Sequence, residues 1–169
     1  MEIRTITAPF TDEVLQSLKV GDIVNVSGTI YAGRDAVLPK IVEMIDNGTL
    51  EENGIDLKGG VIFHTAVSPA GVGPTSSNKL EIEGTMPQLT EAGIRMHLGK
   101  GDLKQETIDM FAKYGAVYAV IAPVTALLNS KVLEKKCVAH PELGMEAFYE
   151  LKVDKFPCII AAAHGEKLS

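Results

Sequence analysis

The stretch DIVNVSGTIYAGRDAVLPKIVEMIDNG, residues 22–48, passes from one periodicity to another. Over residues 22–29 the side chains alternate, Ile23, Asn25 and Ser27 against Val24, Val26 and Gly28, with the period of two that a strand requires. Further on, Val37, Ile41, Met44 and Ile45 recur at helical spacing and share one face. Pro39 falls in the first turn, where a missing N–H costs nothing, and Asn47-Gly48 is a helix stop. The run therefore encodes a strand, a glycine-flanked turn and an amphipathic helix, the unit from which layered α/β domains are built.

Outward from this unit the same two periods recur. Residues 2–7 alternate as a strand, and Thr11 offers an N-cap to a short helix bearing Val14, Leu15 and Leu18. Residues 60–67 read as an apolar, β-branched strand, and residues 68–78 as a loop of Gly, Pro, Ser and Thr. The spacing predicts helices over 86–92, 107–114 and 124–132, the first two stopped by Gly93 and Gly115. Strands are expected over 94–98, 116–122, 146–153 and 157–163. Strands and helices alternate in the middle, and strands dominate both ends. The expected fold is α/β: one layered domain over residues 1–169 with a mixed sheet.

A chain of 169 residues, 46% hydrophobic and 22% charged, is long enough for a full core. A net charge of −6 and the absence of Trp argue against a nucleic-acid partner and against an acidic membrane surface. No apolar run nears the ~20 residues that span a bilayer, and residues 1–10 lack the apolar stretch of a secretory signal. Cys137 and Cys158 sit in no CxxC spacing and no HxxxH is present, so no metal site is expected from this chain alone. Two thiols without a pairing pattern suit a reducing cytoplasm.

Three segments break the core pattern. In Ser27-Gly28-Thr29-Ile30-Tyr31-Ala32-Gly33-Arg34-Asp35, a cation stands near a helix start, where the helix dipole disfavours it. A bound anion would relieve that conflict and use the free N–H groups; pairing of Arg34 with Asp35 or another neighbour would do so equally. In Gly71-Val72-Gly73-Pro74-Thr75-Ser76-Ser77-Asn78-Lys79, small residues allow close backbone approach and the hydroxyls supply donors and acceptors. The spacing is not that of a nucleotide-binding P-loop, and a surface loop of Asx and ST turns has the same composition. In Gly99-Lys100-Gly101-Asp102, a lysine between glycines follows a strand, placed either to enter a cleft or to face solvent. Together, Arg34, Lys79 and Lys100 stand at the ends of strands or loops, where open α/β sheets gather ligands. Three cations beside a hydroxyl-rich loop suit a small molecule with two carboxylates.

In this order and spacing the segments resemble the β subunit, or C-terminal domain, of class I iron–sulfur fumarate hydratases and L-tartrate dehydratases. The family's Ser-Gly-x-Ile-x-x-Gly-Arg-Asp matches Ser27 to Asp35, its Gly-Pro-Thr-Thr-Ser-x-Arg corresponds to residues 73–79, and its Gly-Lys-Gly matches residues 99–101. A late Glu-Ala-x-x-x-x-x-Val followed by Phe-Pro is present in Glu146 to Val153 and Phe156-Pro157. The resemblance covers roughly residues 10–164. Lys79 stands where many members have Arg, and Ser76 where many have a second Thr. An ammonium replaces a planar fork there, which bears on the choice of substrate.

The resemblance implies a swivelling β/β/α domain and a hydro-lyase reaction, reversible hydration of fumarate to malate or dehydration of tartrate. It implies an α subunit carrying a [4Fe–4S] cluster with one iron open to substrate, in an α2β2 assembly, and a β chain inactive alone. By resemblance, Arg34 and Lys100 bind substrate carboxylates with Lys79 and Ser76 alongside, and Thr75 and Lys100 are the catalytic residues, Thr75 binding substrate and handling a proton near the reacting carbon. A threonine hydroxyl is a poor base unless perturbed. Among the histidines, His64 reads as a hydrogen-bonded core residue, His97 precedes the Gly-Lys-Gly turn, and His140 and His164 read as solvated. The same cations would also serve a non-catalytic dicarboxylate- or anion-binding module. Pocket details, not motifs, separate fumarate and malate from tartrate or a methylated analogue.

Overall fold

The computed structural model describes residues 3–34, 36–65, 67–68, 71–72, 84–99, 103–121 and 131–167. Strand β1 (Arg4–Ala8) leads to helix α1 (Asp12–Gln16), and the long β2 (Ile23–Ala32) to α2 (Leu38–Asn47). Then come β3 (Val61–Phe63), the short pair β4 (Val67–Ser68) and β5 (Gly71–Val72), α3 (Met86–Glu91) and β6 (Met96–Gly99). Helix α4 (Gln105–Tyr114) precedes β7 (Val117–Val120), and β8 (Val132–Ala139), β9 (Phe148–Ala163) and β10 (Glu166–Lys167) complete the order. No helix among the described residues is long and apolar enough to cross a membrane.

Eight of these strands form one mixed sheet, and β4 and β5 form a separate pair. β1, β2, β3, β6 and β7 run parallel, while β9 runs antiparallel to both β2 and β7. Because β9 joins the two ends, the path β2-β3-β6-β7-β9 returns to β2 and the sheet is partly barrel-like. Alternate residues, among them Val24, Val26, Ile30, Phe63, Leu98, Ala119, Leu151 and Phe156, fill the enclosed core. The outward residues meet the helices: Tyr31 and Ile62 pack with Val37, Leu38 and Ile41 of the α2 region, and Tyr118 packs with Ile108 and Phe111 of α4.

Local chemistry explains the element ends. Thr11 Oγ1 accepts from the Val14 N–H at 3.3 Å, the expected cap of α1. Gly48 and Gly115 take the left-handed conformation at the ends of α2 and α4. Gly28, at a bulge in β2, has φ +102°, and a Cβ there would stand 2.5 Å from the Ala8 carbonyl oxygen, so β1 can lie close only to glycine.

Several expectations need correction. The strand expected over 60–67 is only three residues long, and Val67 belongs to the separate β4. Residues 124–130 of the helix expected over 124–132 lie outside the described residues, but Val132 opens β8. The strands expected over 146–153 and 157–163 are one continuous β9. Pro157 is tolerated within it because β8 pairs only as far as Val153 and β7 only from Ile159, so no ladder bond is needed on that edge.

Candidate substrate-binding site

The register aligns the carboxyl ends of four parallel strands. Ala32 pairs with Phe63, Phe63 with Leu98 and Leu98 with Ala119. The residues that follow, Gly33, His64, Gly99 and Val120, therefore share one sheet edge. The sequence leaves that edge into Arg34 after β2, towards β4 after β3, and into Lys100 after β6. Carboxyl edges of parallel strands are where α/β sheets collect ligands. The segment carrying Thr75, Ser76 and Lys79 follows β5, and these three residues, with Lys100 and Asp35, lie outside the described residues.

Arg34 is the predicted site residue whose surroundings are visible. Gly33 N–H donates to the Phe63 carbonyl at 3.1 Å, tying the turn to β3. The Arg34 carbonyl accepts from Val37 and Leu38 N–H at 3.1 and 2.9 Å, which starts the chain into α2. The side chain is about three-quarters buried, and its Nε lies 3.6 Å from Glu146 Oε1. Asp35, the neighbour offered as its partner, lies outside the described residues, and the ion pair seen is with a residue distant in sequence. Glu146 ends a 3-10 segment, Pro141–Glu146, directly before β9. It is fixed there because Tyr149 pairs with Ala32 and because Phe148 stacks on Tyr31, with ring centroids 5.2 Å apart and 10° between planes. Strand β4 packs against the same 3-10 segment. The Glu146 Oε2 atom is buried without a hydrogen-bond partner.

A second polar group lies between sheet and helices. His64 Nε2 and His97 Nδ1 are 2.9 Å apart, and His97 Nε2 is 2.9 Å from Thr90 Oγ1 of α3. All three side chains are fully buried, and His97 is stacked between His64 and Phe111. The short N···N contact needs one donor and one acceptor, which two neutral rings supply and two imidazolium rings cannot. Burial pushes the His64 pKa down to about 3, and burial together with His64 pushes His97 well below 6.5. His64 is the core histidine expected from its strand. His140, expected to be solvated, is partly buried, with Nδ1 3.3 Å from Glu142, while His164 is exposed but its Nε2 donates to the Leu18 carbonyl at 2.7 Å.

The thiols do not suit an iron–sulfur cluster. Cys158 is buried in the core and its pKa is raised by burial to about 12, so it stays protonated, whereas a cluster is held by thiolates. Cys137 lies apart in β8 with its Sγ directed to the Ala139 carbonyl at 3.6 Å. Among the described residues no three His, Cys, Asp or Glu groups gather as metal ligands.

A family model described as Fumarase C-terminus matches residues 2–168. The chain belongs to this family. It is 36% identical over 173 residues to a Methanocaldococcus jannaschii protein provisionally named L(+)-tartrate dehydratase subunit beta, covering 94% of this chain and 87% of that protein. It is 27% identical to the L(+)-tartrate dehydratase subunit beta of Escherichia coli K12, covering 98% of this chain and 86% of that one. The class I anaerobic fumarate hydratase of Escherichia coli K12 is 32% identical over 155 residues, which are 86% of this chain but 28% of the relative. The chain therefore spans nearly all of the dehydratase subunits and less than a third of the fumarate hydratase.

Proposed function

We propose that this chain is the β subunit of a class I fumarate hydratase-like hydro-lyase, of the swivelling β/β/α type. Its substrate is a small dicarboxylate, with fumarate and malate or tartrate as the candidates. The observation that carries this reading is Arg34, held at the carboxyl edge of the parallel strands, in a chain whose family motifs continue from β5 and β6. Relatives that bear the name of a β subunit support a partner α subunit. The reading assigns the [4Fe–4S] cluster to that partner, in an α2β2 assembly, because the two thiols here do not fit one. The cluster supplies Lewis acidity when bound.

In this reading the residues of this chain bind and orient. Arg34, Lys79 and Lys100 hold the substrate carboxylates by charge-assisted bonds, and Ser76 and Thr75 hydrogen-bond to the substrate. These cations also stabilise the negative charge that grows when a proton leaves the carbon next to a carboxylate. Thr75, which matches the family's hydroxyl, handles that proton. Two unpaired thiols support a cytoplasmic address.

The test is Arg34→Ala in the assembled enzyme. Loss of a charge-assisted bond worth ~1.5–3 kcal/mol lowers kcat/KM at least about tenfold. Unchanged kcat/KM contradicts the assignment. A dicarboxylate bound by the isolated chain, with no partner recovered, supports a non-catalytic binding module in its place.

A further inference from the structure

We infer that Glu146 is a positioning residue for Arg34: its carboxylate sets the direction of the guanidinium at the substrate edge. The inference rests on the reading of Arg34 as a carboxylate clamp and adds a residue to it. Glu146 Oε1 stands 3.6 Å from Arg34 Nε, the nitrogen at the base of the fork. At this distance the contact is an ion pair rather than a hydrogen bond, and it sets the carboxylate against the inner edge of the guanidinium. A carboxylate at that edge also offsets the charge of a cation about three-quarters buried and keeps it in place before substrate arrives.

The setting of Glu146 is built rather than incidental. It sits at a junction pinned on three sides: the Ala147 N–H donates to the Gly144 carbonyl at 3.0 Å, Phe148 stacks on Tyr31, and Tyr149 pairs with Ala32 two residues before Arg34. Its second oxygen, Oε2, is buried yet accepts no hydrogen bond. The 3.6 Å separation is longer than a good charge-assisted bond, and such contacts tighten when a site closes around its ligand. β4, which leads towards the hydroxyl-rich loop, lies against the same 3-10 segment. Glu146 therefore ends the segment on which β4 lies, directly beside Arg34.

The experiment is a double-mutant cycle on the assembled enzyme, measured with whichever dicarboxylate it dehydrates. Glu146→Gln keeps the shape and removes the charge, Glu146→Ala removes both, and each is made with Arg34 intact and with Arg34→Ala. Unfolding temperatures are recorded for all variants. The expected result is a fall in kcat/KM of about tenfold for both Glu146 variants, carried mainly by KM, and no further fall once Arg34 is gone. Glu146→Gln retains the wild-type unfolding temperature within a few degrees. Glu146 variants within twofold of wild type, beside a strong effect of Arg34→Ala, overturn the inference and leave the clamp standing. Glu146 effects that multiply with Arg34→Ala overturn it too, because the two then act separately. If Arg34→Ala leaves kcat/KM unchanged, the clamp reading fails, and the role of Glu146 fails with it.

Discussion

Acid should destabilise this fold well above the pH at which carboxylates titrate, and the cause is the His64–His97 pair. In the native state both rings are neutral, with His64 at about 3 and His97 well below 6.5, because burial removes the water that would solvate a charge. In the unfolded chain each titrates near 6.5. Above pH 6.5 both states hold neutral rings and the pair adds no pH dependence. Below it the unfolded chain takes up protons that the native pair refuses, so stability falls as pH falls. The slope is ~1.4 kcal/mol per pH unit per ring. From pH 6.5 to 5 each ring therefore costs ~2 kcal/mol and the pair ~4, a large share of the ~5–15 kcal/mol of a typical domain. For His64 the loss levels off near pH 3, where the native ring itself protonates. Urea unfolding of the purified chain at pH 7.5, 6 and 5 measures this directly. His97→Asn, which removes one titrating ring, should be less stable at pH 7.5 but lose roughly half as much on acidification. A wild-type loss below ~1 kcal/mol by pH 5, or an identical pH dependence in the variant, would refute the reasoning.

Three further outcomes are expected. Phe148→Ala removes the ring that stacks on Tyr31 at 5.2 Å and should cost ~3–5 kcal/mol by chemical denaturation, lowering affinity for a dicarboxylate as well because Glu146 precedes it by two residues. Gly28→Ala should destabilise by more than ~1 kcal/mol in the same assay, since φ is +102° and the new methyl would meet the Ala8 carbonyl. Cys158, with its pKa pushed up to about 12, should resist iodoacetamide at pH 8 until the chain unfolds, as followed by mass spectrometry of the alkylated peptides.

Where local periodicity controls structure, the sequence was readable. The face of α2 built from Val37 and Ile41, the alternation of β2 and the stops at Gly48 and Gly115 all follow from spacing and backbone freedom. β8 escaped because Leu133, Glu134, Lys135 and Lys136 are all exposed on an edge strand, so no alternation marks it. The fusion of two expected strands into β9 was hidden by Lys155-Phe156-Pro157, which reads as a break, yet Phe156 is fully buried and both it and Pro157 pair with β2. Arg34 stands in a motif that the sequence displays. Glu146 lies in another, but its contact with Arg34 depends on how β9 returns across β2. The contact between His64 and His97 likewise depends on the register of β3 against β6, which no local pattern specifies.

The central claim is that this chain clamps a dicarboxylate for a partner that holds the cluster. The most direct measurement is anaerobic isolation of the tagged chain from its native cells, with co-purifying protein, iron, and dehydration of malate and tartrate assayed on one sample. The account predicts a second, cysteine-bearing chain, about four irons per pair of chains, and conversion of at least one of the two hydroxy-diacids. A chain recovered alone, free of iron and inactive on both, would contradict it.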